Sequence, residues 1–500
     1  MKYVLITFAT TLVLLGMIIR VVEVANGNYV FGFDQGLDFM AARSIAVDHK
    51  LTLIRAEAGA GFAGLPGVFH GPGYRYILAV LLFLSHGNPY GAIVGLAVIS
   101  IISLWMLYRM GISIFGPVVA GVILVLAAVS PPLTAQARMI WAPNYSAVVA
   151  LPFLYAIWLS RKKTVAGAFL TAFFSALLYH FELPMAVPAM LMTVLYFAFV
   201  LKFRDIKLWA AVFAGFFIGL LPMLLFESRH GWGFVKGILT YGVRLRETSV
   251  TAPFFPLKEL VGDGNAIVNT IRESFLFPVP WVRRMFPWVL LGGTLWYAKL
   301  EKKKEIQTFI FGLLLLVVSH LLVFYPYRGP VYAHYLTLLY FVYPILAAYL
   351  AVRALSGKVT RWIVYAAAIM LIIGVLKQIP KTITSDYHDY GGTAKIRGKT
   401  EALDIIYQDA AGKPFGLMVF TPPVVPYAYE YLAKWYGKNT YGYVPSFERG
   451  PIFYLLIEPD PEKPWSYNGW LETVIKEGTV IRAWNLPSGF IIQKRAERIE

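Results

Sequence analysis

Two aspartates one helical turn apart, Asp34 and Asp38 in the stretch DQGLDFMAARSIAVDH (34–49), are the best candidates for acid–base chemistry in this sequence. The four-residue spacing puts both carboxylates on one helix face. Asp34 suits a general base, and Asp38 suits a group that orients the base or its substrate. An aspartate beginning a helix also makes a good N-cap, and the two roles coexist. Five cations are placed to hold an anionic leaving group such as a phosphate: His70 and Arg75 in FHGPGYRY, Arg138, Arg328 in YPYRGP, and His334. The planar arginine fork gives phosphate paired, charge-assisted hydrogen bonds. The plainer reading is that these side chains snorkel to a membrane interface. His180 and Glu182 in YHFELP, with Tyr335, are candidates for supporting such a site from behind. A hydrogen-bonded His180–Glu182 pair tying two helices together is the favoured role for those two. The Asp34–Asp38 pair could also take a divalent cation, but carboxylates one turn apart are common, and no required metal is expected.

The elements that must position these residues are apolar. Hydrophobic residues make up 58% of the 500 and aromatic residues 16%, more than a single soluble core can absorb. Residues 381–500 hold 14 Lys plus Arg against 14 Asp plus Glu, so the whole net charge of +17 belongs to residues 1–380. Those cations lie in short clusters between apolar runs, as topology anchors do, which argues against a nucleic-acid partner. There are no cysteines, which removes thiol and zinc-thiolate chemistry.

Twelve apolar segments recur, near 3–22, 75–86, 91–108, 116–130, 146–160, 165–179, 184–201, 208–226, 286–298, 306–324, 333–352 and 362–379. The first has no small-residue cleavage site after it and reads as a retained span. Cationic loops at 161–163, 202–207, 299–304 and 353–361 mark the cytoplasmic side, two spans apart each time. Segment 75–86 is too short to cross upright, which leaves about eleven crossings, a cytoplasmic N-terminus and an external C-terminus. All the candidate site residues then fall on the external side.

Two long external loops, 23–74 and 227–287, interrupt the pattern, and loops of that length usually have a function. In the first, Leu37, Met40, Ala41, Ser44 and Ile45 recur at helical spacing and predict a helix lying at the membrane surface, followed by a non-helical Gly-Pro return at 59–76. After about residue 380 the pattern changes to a helix at EALDIIYQDA and strands at FGLMVF, IFYLLIEP, TVIRAW and GFIIQKR. These predict a small external α/β domain over 381–500, after a helical membrane domain over 1–380.

The order of features resembles the GT-C superfamily of membrane glycosyltransferases, and within it the protein O-mannosyltransferase and aminoarabinose-transferase branch. The matching pieces are the first span, FGFDQGLDFMAARSIA (31–46), FHGPGYRYILAVLL (69–82), ARMIWAPNYSAVVALPFLY (137–155) and YRGPVYAHYLTLLYFVYPILA (327–347), about three quarters of the chain. The resemblance implies a multi-pass plasma-membrane protein. It implies inverting transfer of a hexosyl or pentosyl unit from a polyprenyl-phosphate or dolichyl-phosphate carrier to an acceptor hydroxyl outside the cytoplasm. The acceptor would be a protein, a glycolipid or a polysaccharide. The chain departs from the family where Gln35 follows Asp34 in place of a glutamate, and where Leu37 replaces an arginine. A transporter or flippase is the competing class, since intramembrane polar residues also line substrate pathways. A non-catalytic assembly protein that kept the fold is the third.

Overall fold

A computed structural model describes residues 2–58, 67–237, 240, 257–325, 331–388, 392–422, 425–460 and 462–497. It is mostly helical, with a small four-stranded sheet near the C-terminus. The helices that matter for the site are α1 (Lys2–Asn26), α2 (Phe33–Ala46), α3 (Gly73–Leu84), α4 (Tyr90–Phe115) and α5 (Pro117–Val129), followed by the short α6 (Pro131–Gln136) and α7 (Ala142–Tyr145). Then come α8 (Ala147–Ser160), α9 (Val165–Leu177), α10 (Leu183–Leu195), α11 (Ile206–Gly219) and α12 (Leu221–Arg229). The bundle is completed by α13 (Leu257–Ser274), α14 (Pro280–Leu300), α15 (Lys304–Phe324), α16 (Thr337–Ala354) and α17 (Thr360–His388).

Among the described residues six helices are long and apolar enough to cross a membrane, and a seventh span forms if α11 and α12, bent by 66° at Leu220, are counted together. The chain is thus a multi-pass membrane protein. The expected eleven crossings exceed that number because several predicted spans are short helices, among them α5, α8 and α9, while α14 carries Arg283 and Arg284. Segment 75–86, suspected on length, forms α3. The residues before α3 lie against His180 and those after it against Tyr431, so it runs along one face of the bundle.

α1 carries a buried arginine that composition gave no reason to single out. Arg20 donates to the carbonyls of Ala127 and Ala128, to Gly16 and to the Ser100 hydroxyl. The first two end α5, where carbonyls lack intrahelical partners and carry the negative end of the helix dipole. A guanidinium satisfied by dipoles replaces the counter-ion that a membrane-depth cation otherwise needs. At the far end of the bundle Glu301 pairs with Arg353, and Arg161 lies within electrostatic reach of Glu305.

The four expected strands are present: β1 (Gly416–Phe420), β2 (Ile452–Ile457), β3 (Thr479–Asn485) and β4 (Ile491–Ala496), in the order β1-β2-β4-β3. β1 and β2 are parallel, and the other neighbours are antiparallel. α18 (Ile396–Ala410) precedes β1, and α19 (Tyr427–Leu432) lies between β1 and β2. α19 docks on α2: Phe31 and Phe39 pack on the Tyr431 ring, Tyr431 donates to the Gly87 carbonyl, and Ile396 N–H donates to Tyr29.

This docking changes the expected orientation of α2. Its buried residues are Gln35, Gly36, Asp38, Phe39 and Ala42, whereas Leu37, Met40, Ala41, Ser44 and Ile45 are only half-buried. The helix packs its mixed polar and apolar stripe against α3 and α19, and the apolar stripe is not its most buried face. Contact at Gly36 is close enough that a Cβ would come within 2.2 Å of the Ala428 nitrogen. Gly36→Val is expected to cost about 1–3 kcal/mol or more through overpacking. The loss should appear as a lower thermal midpoint in detergent and faster proteolytic release of the C-terminal region.

Candidate functional site

The site is built around Asp38, one turn into α2 and almost fully buried. Arg55, on the loop after α2, forks onto it, with Nε 3.1 Å from both carboxylate oxygens and Nη2 2.9 Å from Oδ2. Arg75, in the first turn of α3, adds Nε 3.0 Å from Oδ1. One buried carboxylate therefore holds two guanidiniums, leaving a net positive cluster. Burial alone would lower the Arg55 pKa, but the Asp38 carboxylate outweighs it and keeps Arg55 firmly charged. Sequence reading missed Arg55, because nothing in LTLIRAEAG distinguishes it until folding brings it to Asp38, 17 residues back. The Asp38 oxygens are committed to these arginines, so Asp34 is the aspartate of the pair left open to a ligand.

Asp34 is not the N-cap, a position held by Gly32. It stands in the first turn of α2, keeps a solvent-facing edge, and makes no hydrogen bond or ion pair among the described residues. Surrounding protein raises its pKa, Asp38 raises it further, and Arg55 opposes the shift. A carboxylate with a raised pKa and free lone pairs is suited to accept a proton. Gln35, the departure from the expected glutamate, is buried. Its Nε2 donates to the Ile140 carbonyl at 2.7 Å, and its Oε1 accepts from Gly32 N–H. A glutamate could not make the first bond, since an ionised carboxylate only accepts.

His70 is not the expected cation. Its Nδ1 accepts from Leu183 N–H at 3.1 Å, which puts the ring proton on Nε2, 3.6 Å from Glu182 Oε1. Burial and the nearby Arg55 lower its pKa to about 3, so the ring is neutral at physiological pH. Among the described residues Glu182 pairs with neither His180 nor a cation at hydrogen-bond range, and burial raises its pKa to about 7. His180 instead accepts from Gly73 N–H through Nδ1 and reaches the Gly219 carbonyl through Nε2, tying the Gly-Pro loop to the end of α11. A Cβ at Gly71 would lie 2.6 Å from the same ring, so a side chain is excluded at that position.

His334 lies between Trp141 and Tyr335, tilted to the first ring and edge-on to the second, with centroids 4.5 Å from each, and Tyr335 is buried. Arg138 is half-buried on the segment whose Ile140 carbonyl receives Gln35. The charge of Arg55 reaches Asp34, His70, Glu182 and His334. Residues from the first loop, α3, the α9–α10 turn and the start of α16 thus converge on one face. Arg328 and the 59–66 part of the Gly-Pro return lie outside the described residues. Among the described residues no group of three or more His, Asp or Glu side chains is arranged to hold a metal.

Removing Asp38 strands two buried guanidiniums. Asp38→Ala is therefore expected to destabilise the fold by about 3–5 kcal/mol, whereas Asp34→Asn, which breaks no bond, should shift stability by about 0.5 kcal/mol or less. Thermal unfolding of the two variants side by side checks this. Glu182 has a pKa raised on folding from 4.5 to about 7, so the folded chain favours its protonated form. That stabilisation is complete below pH 4.5 and is lost as pH rises through about 7. Relative to Glu182→Gln, the wild-type midpoint is expected to fall between pH 5 and 8 by the equivalent of at most about 3 kcal/mol.

No protein-family model matches the chain, and no curated protein matches it in sequence. Solved structures do match in shape. ArnT from Cupriavidus metallidurans in the apo state aligns with a TM-score of 0.53 at 13% identity, over 99% of this chain and 98% of that one. The same protein bound to undecaprenyl phosphate aligns with 0.51 at 13%, over 98% and 97%. The Archaeoglobus fulgidus oligosaccharyltransferase in its apo form aligns with 0.50 at 12%, over 85% of this chain and 64% of that one. At these identities the likeness speaks to architecture alone, and over nearly its whole length the chain shares the fold of the two ArnT structures.

Proposed function

We propose that the chain is a membrane glycosyltransferase that moves a sugar from a polyprenyl-phosphate carrier to an acceptor hydroxyl, with inversion, on the extracytoplasmic face. The observation that carries this reading is the contrast between the two aspartates. Asp38 is spent holding Arg55 and Arg75, while Asp34 beside it has no partner among the described residues and has a raised pKa. This contrast supplies a base and an anion-binding cluster on one face of a membrane bundle. The fold shared with ArnT, one of whose structures holds undecaprenyl phosphate, supports a lipid-phosphate donor.

In the proposed reaction the acceptor oxygen attacks the anomeric carbon, and Asp34 takes the hydroxyl proton. The bond from that carbon to the phosphate oxygen breaks, and the polyprenyl phosphate departs with the electron pair. Arg75 is suited to receive the growing negative charge. Its Nε is fixed by Asp38, while Nη2 makes no hydrogen bond among the described residues. A guanidinium already oriented by a buried carboxylate needs little reorganisation as charge develops. Arg328 and Arg138 remain proposed as further phosphate contacts, and His334 with its Tyr335 support as a wall of the site. The external side of this face is proposed from the cationic loops at its opposite end.

Purified protein in lipid, given a panel of polyprenyl-phosphate sugars, is expected to turn over at least one of them. Asp34→Asn should lose on the order of a hundredfold or more in rate while keeping its thermal midpoint. Equal turnover by both proteins would remove Asp34 as the base. Substrate movement across sealed vesicles without covalent change would replace the transferase reading with a transporter.

A further inference from the structure

A second polar site lies in the C-terminal region, separate from the Asp38 cluster. Thr421 and Glu458 directly follow the parallel strands β1 and β2, so both stand at the carboxyl ends of adjacent parallel strands. Ligands of α/β sheets characteristically bind in the crevice outside those ends. Here the crevice is a cavity with an empty volume of about 640 Å³. Its lining includes Gly32, Phe33, Lys399, Thr421, Tyr429 and Glu458. Phe33 immediately precedes Asp34, so the cavity opens beside the start of α2.

The polar groups are held in a definite arrangement. Lys399, in the first turns of α18 and almost fully buried, donates to Glu458 Oε2 at 3.1 Å and to the Tyr429 hydroxyl at 3.0 Å. Tyr429 and Thr421 donate to the same oxygen. Lys399 is covered by the rings of Tyr429 and Phe490, 4.6 and 5.5 Å from their centroids. Three donors therefore fix Glu458 Oε2, while Oε1 has no partner among the described residues and is not sealed from solvent. The charges of Lys399 and Glu458 cancel, and Phe33, whose ring packs on Tyr427 with centroids 5.2 Å apart, supplies an aromatic wall. A neutral cavity offering an oriented carboxylate oxygen, a hydroxyl and aromatic faces matches a hydroxyl-rich ring better than an anion.

We propose that this crevice binds a neutral sugar ring of the acceptor, its hydroxyls donating to Glu458 Oε1 and its apolar face resting on Phe33. Assignment to the acceptor side rests on the transferase reading above; binding of the sugar does not.

The test is saturation-transfer NMR on the full chain in nanodiscs, with glucose, galactose, mannose and N-acetylglucosamine as separate probes at millimolar concentration. At least one is expected to bind the wild type and to bind Asp34→Asn equally well, which separates this site from the fate of the proposed base. Glu458→Gln should weaken that binding by about tenfold or more, the size of a lost hydrogen bond to a charged group. Because Glu458→Gln also disturbs a buried lysine, Val425→Trp is the second variant. Val425 lines the cavity from a solvent-facing position, and the larger side chain fills the space without removing a polar group. Loss of binding in Val425→Trp, with an unchanged thermal midpoint, supports the proposal. No binding of any probe by the wild type, or equal binding by both variants, overturns it.

Discussion

The carboxylate of Asp38 is the interaction on which the rest of the site depends. An isolated charge cannot be buried cheaply, so two arginines from separate segments are drawn to it. Arg55 fixes the loop after α2 in doing so, and Arg75 fixes the start of α3. Each guanidinium is oriented by a partner it cannot leave without exposing another buried charge. The result is a positive cluster whose geometry is set before any ligand arrives, which is what a site for developing negative charge requires.

The C-terminal region contributes to the same construction by covering α2. Close approach at Gly36 and the aromatic packing of Phe31 and Phe39 on Tyr431 hold the helix from the side opposite its site-facing residues. Asp34 and the Glu458 crevice thereby become neighbours through Gly32 and Phe33. A region that sequence pattern treats as an appendage is thus part of what orients the proposed base.

Four buried polar side chains follow one rule. Arg20 is satisfied by helix-end carbonyls, His70 by Leu183 N–H, His180 by Gly73 and Gly219, and Gln35 by Ile140 and Gly32. Each such group joins segments far apart in the chain, because a buried donor or acceptor without a partner costs more than the constraint of providing one. His70 and His180 are therefore better understood as ties between segments than as cations.

The amino-acid sequence by itself determined the membrane class, the positions of most helices and the four strands. These follow from local apolar periodicity and charge placement, which act over a few residues and are visible without partners. Tertiary structure alone decided which of those residues carry free charge. Position at the helix start favours Asp34 as the base, yet it is tertiary structure that leaves Asp34 without a partner among the described residues while Asp38 is consumed by Arg55 and Arg75. It likewise turned Gln35 and Asp38 inward where apolar spacing predicted Leu37 and Met40, and made His70 neutral. Whether a polar side chain is buried, paired or free depends on groups tens or hundreds of residues away, and no local pattern encodes that distance.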